Sequence, residues 1–259
     1  MDADNCSRNV TGVSGKRAKS AAGLIAARMK FALFCLSLLV ALPGRAQNPD
    51  VQDVQKVITQ LNTAATKFVS AQANFSWDQF TAVVSEDEIQ TGTIYFERKK
   101  GANTRMAAYL KQQNGKDVPK TITYDGGEVQ YYEPIIKQMT ILKAGANKGQ
   151  WESFLTLGFG GSGDLLEKNW KVTVQGNETM SGVSVVKLDL VPVDPKVLDL
   201  FTHVTIWVDP TRGVSYKQVF YQPSGDTRTA LYKDIQYNTP IAGDVFKIKP
   251  APGTTTQVK

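Results

Sequence analysis

Two cysteines and one histidine in 259 residues leave little to build reactive chemistry from. Zinc sites of Cys and His, iron–sulfur clusters and c-type haem attachment each need several such ligands and are excluded as self-contained readings. No Gly-x-Ser-x-Gly nucleophile elbow occurs. His203, between Phe201 and Val204 at the head of a strand, has no second His or Cys to work with and reads as structural. Gly158, Gly160 and Gly163 have dinucleotide-fingerprint spacing, but an apolar helix-like segment precedes them where the mechanism needs a strand. The run Glu86-Asp87-Glu88 reads as a solvated turn ahead of a strand, and paired-carboxylate hydrolysis finds nothing to select one pair of acids over another. Repeats, low-complexity runs and linkers are also missing, so one domain is expected. The sequence therefore predicts a protein that is not an enzyme and holds neither metal nor cofactor.

The net charge of +6 at first points to an anionic partner. Its location argues otherwise. Met29 and Lys30 precede about a dozen uncharged, mostly apolar residues, Phe31 to Leu42, and then Pro43-Gly44-Arg45-Ala46. A basic flank, a short apolar core and a small-x-small site make a secretory signal peptide, with cleavage expected after Ala46. The core is too short for an ordinary transmembrane helix of roughly 20 residues. Cys35 lies inside it, away from any lipidation-type cleavage point. The polar stretch ahead of Met29 makes Met29 an alternative start to Met1. Residues 1–46 are thus read as an N-terminal extension and cleavable leader, and 47–259 as the working domain, exported to a secreted or periplasmic compartment. That domain has 23 basic and 22 acidic residues and no cysteine. It gives no electrostatic footprint for nucleic acid and must be stable through its core, without disulfides.

Asn48-Pro49-Asp50 reads as a helix start. Val51, Val54, Val57, Ile58, Leu61, Ala65, Phe68 and Val69 then recur at three- and four-residue spacing, predicting one amphipathic helix of roughly 20 residues. The rest reads as about eleven or twelve short strands, from Phe75–Val84 to a closing strand at Val245–Ile248. Turn signals such as Asp125-Gly126-Gly127 and Pro223-Ser224-Gly225-Asp226 join them as an antiparallel meander. So many strands in one sheet must curl or close. Midway, Trp151 to Leu157 looks like a short helix, followed by Gly158, Gly160, Gly161 and Gly163, expected to act as a hinge. The fold class is mainly β (α+β): a large curled antiparallel sheet lidded by a long N-terminal helix and a short mid-chain helical insertion.

In the strand at Thr91, Gly92, Ile94, Phe96 and Arg98 share one face, so an apolar face ends in a guanidinium. Ile122, Tyr131, Met139 and Ile141 add apolar surface elsewhere in the sheet. A concave apolar sheet with few elements to cover it is a place for acyl chains. The candidate chain-binding residues are Leu61, Phe68, Trp77, Phe80, Ile94, Phe96, Met106, Tyr109, Phe154 and Leu155. The alternative is a core filled by the helix.

Thr91-Gly92-Thr93-Ile94-Tyr95-Phe96-Glu97-Arg98, followed by Ile122-Thr123-Tyr124-Asp125-Gly126-Gly127 and Gln130-Tyr131-Tyr132-Glu133-Pro134, resembles the periplasmic lipoprotein carriers, the LolA-like lipoprotein-sorting family. The resemblance spans nearly the whole of 47–259. It implies an incomplete barrel lidded by helices, whose cavity shields the acyl chains of lipoproteins in transit from inner to outer membrane. It also implies that Arg98 latches the lid, that the protein is a monomer, and that its partners are acylated lipoproteins, an inner-membrane releasing complex and an outer-membrane receptor. In this chain Lys99 replaces the proline that usually follows the family arginine. An envelope-stress sensor of the same fold, or a carrier of free lipid or glycolipid, is the alternative.

Overall fold

A computed structural model describes residues 53–99, 104–145, 148, 154 and 156–259. The leader, its cleavage site, Cys35, Met29 and the Asn48-Pro49-Asp50 helix start lie outside the described residues, as do Trp151 to Ser153 and Leu155.

Helix α1 spans Val54–Lys67, with Asp53 as its N-cap, accepting from the Gln55 amide at 3.2 Å. Its stripe Val57, Ile58, Leu61, Ala64 and Ala65 is buried, as the three–four periodicity requires. At its other end the Asn238 side chain accepts from the Val69 and Ser70 amides (2.8 and 3.2 Å) and donates to the Lys67 carbonyl (2.9 Å). That clamp fixes where the helix stops and the first strand starts.

Six strands follow: β1 (Ser70–Thr81), β2 (Glu86–Arg98), β3 (Thr104–Gln113), β4 (Lys116–Asp125), β5 (Glu128–Glu133) and β6 (Gln138–Lys143). After the insertion come α2 (Gly163–Asn169), β7 (Trp170–Met180), β8 (Val183–Pro192), α3 (Pro195–Leu198), β9 (His203–Asp209), β10 (Val214–Tyr221), β11 (Thr227–Tyr237) and β12 (Thr255–Val258). They form one twelve-stranded sheet in the order β12-β6-β5-β4-β3-β2-β1-β11-β10-β9-β8-β7. The sheet is two antiparallel meanders joined where β1 pairs with β11, and it stays unclosed, with β12 and β7 at its edges. This is the mainly β, unclosed, helix-lidded architecture anticipated above.

Three expectations are corrected. Glu86, Asp87 and Glu88 are not a turn but the start of β2, paired with Thr81, Phe80 and Gln79. Val245–Ile248 is not a strand: Gly243–Phe246 forms a 3-10 turn between Pro240 and Pro250. Every strand it passes is already paired, so it crosses the outer face and buries Phe246, over which the Arg105 guanidinium lies 4.0 Å from the ring centre. The last strand is β12, parallel to β6, so the sheet is not wholly antiparallel.

Pairing assigns the faces, because residues in register share a side. Ile94 opposes Ala108 and Phe96 opposes Met106 on the inner, concave face; Tyr95, Ala107, Glu97 and Arg105 lie on the outer one. Inside are two packed clusters. The first gathers Phe68, Phe75, Ile94, Phe96, Met106, Tyr124 and Tyr232. The second places Val57, Ile58 and Leu61 of α1 on Leu188, Leu190, Val204, Ile206 and Val208. Strand connectivity also defines two rims. One, the latch rim, holds the end of α1 and Arg98; the β1–β2, β3–β4, β5–β6, β8–β9 and β10–β11 connections lie on the opposite rim. Among the described residues no helix is long and apolar enough to cross a membrane.

Candidate functional site

The insertion supplies what the sequence reading missed. Residues 156–162 form a lid built of turns, with the Phe159 amide donating to the Thr156 carbonyl at 2.8 Å, which lies over the concave face and docks on the β9–β10 turn. The Ser215 amide donates to the Gly158 carbonyl at 2.7 Å, the Gly160 amide donates to the Gly213 carbonyl at 2.9 Å, and Phe159 pairs with Val214. The receiving turn is rigid. Asp209 accepts from the Thr211 amide (2.8 Å) and from Arg212 Nε (2.5 Å), and Arg212 also donates to the Tyr216 hydroxyl (2.5 Å).

Phe159 is the plug. Its ring is 1% exposed, stacked on Phe96 and set edge-on to Tyr232, 4.9 Å between centroids. Below it the Tyr232 hydroxyl donates to Gln218 Oε1 at 3.1 Å, and Gln218 Nε2 donates to the Leu157 carbonyl at 2.5 Å. Burial pushes the Tyr232 phenol above its ordinary range, because a phenolate there would lose its hydration.

Arg98 ties the closure together. Its two terminal guanidinium nitrogens donate to the carbonyls of Ala65, in the last turn of α1, and of Gly160, in the lid. One side chain on β2 thus satisfies an end carbonyl of the helix and a carbonyl of the insertion. Its guanidinium also lies 5.6 Å from the centre of the Phe68 ring.

Gly160 and Gly158 carry left-handed backbone, φ +75° and +73°. A Cβ on Gly160 would stand 2.3 Å from the Phe68 ring, and one on Gly158 1.9 Å from Ser215 Oγ. Both are close-approach positions as well as turn positions, and only glycine lets the lid seat. Gly163 begins α2, against the Ile58 backbone, while Gly161 faces open space. A second clamp joins the helices: Asn62 and Asp164 exchange two hydrogen bonds (2.7 and 3.1 Å), and Gln55 Nε2 donates to Glu167 Oε1 at 2.8 Å.

Of the residues expected to face a chain, Phe68, Ile94, Phe96 and Met106 line the cluster around Phe159, and Trp77 borders it, stacked on Phe75 at 4.2 Å. Leu61 and Phe154 belong to the second cluster, where Phe154 packs on Phe201 and Phe220. Two expectations fail. Tyr109 is turned onto the outer face beside Tyr95, its hydroxyl donating to the Val245 carbonyl at 2.7 Å. Phe80, opposite Asp87 and out of phase with Phe75 and Trp77, is also on the outer face. Leu155 lies outside the described residues. Ile122 is on the inner face across from Ala108 and Tyr131, while Met139, opposite Tyr132, is on the outer one.

With the lid seated, the space left between α1, the insertion and β9–β10 is about 30 Å³, lined by Leu61, Leu157, Leu166, Ile206 and Val208. That holds about one water and no acyl chain.

No protein-family model matches the sequence, and no curated protein is detectably related to it. Solved structures are similar. An uncharacterised protein from Thermus thermophilus aligns with 80% of this chain and 100% of its own, with a TM-score of 0.52 and 10% identity. MucB in the Pseudomonas aeruginosa MucA/MucB complex aligns with 76% of this chain and 62% of its own (TM-score 0.47, 13% identity). A LolA superfamily protein from Nitrosomonas europaea aligns with 76% and 98% (TM-score 0.38, 14% identity). At such identities the likeness concerns fold alone: this chain shares its fold, an unclosed sheet lidded by helices, with the Thermus thermophilus protein.

Proposed function

We propose that the chain is a non-enzymatic periplasmic carrier. It would shield the acyl chains of lipoproteins between the inner and outer membranes, receiving cargo from an inner-membrane releasing complex and passing it to an outer-membrane receptor. The observation that carries the reading is the Arg98 bridge between the Ala65 and Gly160 carbonyls, above an apolar concave face plugged by Phe159. A plug held by a few polar contacts is exchangeable. Cargo contacts and lid contacts compete for one surface, and the polar latch adds a modest bias toward closure. Burying a fatty chain is worth about 0.8 kcal/mol per methylene, enough to displace one aromatic ring without ATP. Release then needs a receptor that binds the same cargo more tightly.

The test is extraction. Residues 47–259 should remove acylated lipoprotein from inner-membrane vesicles, and native mass spectrometry of protein taken from its own periplasm should find lipoprotein bound. Finding free lipid there and never lipoprotein would end the sorting role.

A further inference from the structure

The rim opposite the latch has an unusual surface. Seven of the eleven exposed large apolar side chains among the described residues lie in its connections: Val83, Val84, Ile135, Ile136, Val193, Leu198 and Leu200, between 41% and 89% exposed. The β4–β5, β7–β8 and β9–β10 connections on the latch rim have none of the eleven, and Val69, between α1 and β1, is the exposed apolar side chain beside the latch.

Two of these tips are copies of one device. Ala82-Val83-Val84-Ser85 and Pro134-Ile135-Ile136-Lys137 are both four-residue turns closed by a 3.3 Å bond from the fourth amide to the first carbonyl. In both, the fourth residue is left-handed (φ +54° and +49°) and the two central positions are β-branched aliphatics. Turn chemistry favours Gly, Pro, Asn, Asp or Ser at such positions, and hydration disfavours exposed Val and Ile. Folding does not explain the choice. The third tip, the β8–β9 connection, presents Val193, Leu198 and Leu200 around α3.

Their spacing is regular. In the strand order the β5–β6, β1–β2 and β8–β9 tips lie four strands apart, about 19 Å along the sheet at about 4.8 Å per strand. The tips between them are polar, Asn114-Gly115 and Pro223-Ser224-Gly225. Apolar tips thus alternate with polar ones around one mouth of the curled sheet.

We infer that this rim docks the protein on a lipid bilayer, each aliphatic tip entering the interfacial region. Three separate points around a curved rim suit a plane of lipid. A protein partner would need a contiguous complementary patch, which the polar tips break up. The charges flanking the tips are mixed: Glu86, Asp194 and Asp199 stand beside Lys137 and Lys196. Attraction therefore comes from apolar contact and should depend little on anionic lipid or salt. Docking places the end of the concave face away from Arg98 against the membrane, whatever the cargo is.

The exported domain, residues 47–259, should co-sediment with vesicles of pure phosphatidylcholine, and raising salt from 0.05 to about 0.5 M should change binding less than about twofold. Val84→Asp, Ile136→Asp and Leu200→Asp together should weaken it about tenfold or more with the melting temperature unchanged, since all three side chains are exposed. Tryptophan at Val84 or Ile136 should shift to the blue on vesicles and be quenched by brominated lipid, while tryptophan at Asn114 should not. Binding that the triple variant leaves intact, or tip tryptophans that lipid does not quench, would overturn the inference. So would a triple variant that changes self-association and leaves vesicle binding untouched, which would assign the rim to a protein interface. These vesicles contain no lipoprotein, so failure here and failure of the carrier reading are separate results.

Discussion

Phe159 lies flat on Phe96, their ring centroids 4.0 Å apart and their planes 8° from parallel. One ring belongs to a strand of the sheet and the other to a seven-residue lid. The contact is therefore the point at which the concave face is either filled by the protein itself or available to something else.

Replacing Phe159 with alanine should empty that position. Large-to-small changes at buried aromatics cost about 3–5 kcal/mol when the site cannot collapse, so the melting temperature should fall in calorimetry. A fluorescent fatty acid should bind the variant more tightly than the parent chain. Loss of stability with no gain in binding would mean that Phe159 is only core.

Arg98→Leu removes both bonds of the latch. Hydrogen bonds made by a charged group are worth about 1.5–3 kcal/mol, and less where water screens them. Exchange protection of residues 157–160 should fall by roughly tenfold, with β8 and β9 unaffected. Arg98→Lys should rescue only part of it, because an ammonium lacks the planar fork that spans two carbonyls.

Gly160→Ala puts a methyl group into the Phe68 ring at a left-handed position. The lid should fail to seat, giving faster exchange at Phe159 and an open-like response to the fatty-acid probe. The same change at Gly161, which faces open space, should do neither.

Alkaline pH supplies another handle. The Tyr232 phenol is raised by burial, so the folded state holds its proton more tightly than the unfolded chain does. That contribution is complete below the ordinary tyrosine pKa of about 10 and is lost as pH rises above it. Denaturant titrations should show stability falling from about pH 10 upward, and Tyr232→Phe should flatten part of that fall.

Much of the scaffold could be read from the chain. The expected number of short strands agrees with the twelve observed, and the turns at Asp125-Gly126-Gly127 and Pro223-Ser224-Gly225-Asp226 do join β4 to β5 and β10 to β11, because alternating apolar positions and Gly, Pro and Asp turns are local signals. Arg98 stood out for a similar reason, as a cation closing an apolar face. Phe159 did not. Among so many glycines the segment reads as a hinge, and what singles it out is one large aromatic between Gly158 and Gly160.

By itself, then, the sequence determined the shortage of reactive side chains, a long amphipathic helix, the strand periods and the inner face of β2, each set by spacing over a few residues. Only the tertiary structure decided that Phe80 and Tyr109 face outward, that Val245 crosses the outer face, and that Arg98 reaches carbonyls 33 and 62 positions away. Those outcomes depend on register, since a one-residue slip exchanges the faces of a strand, and on which distant backbone groups lack partners once the sheet has curled.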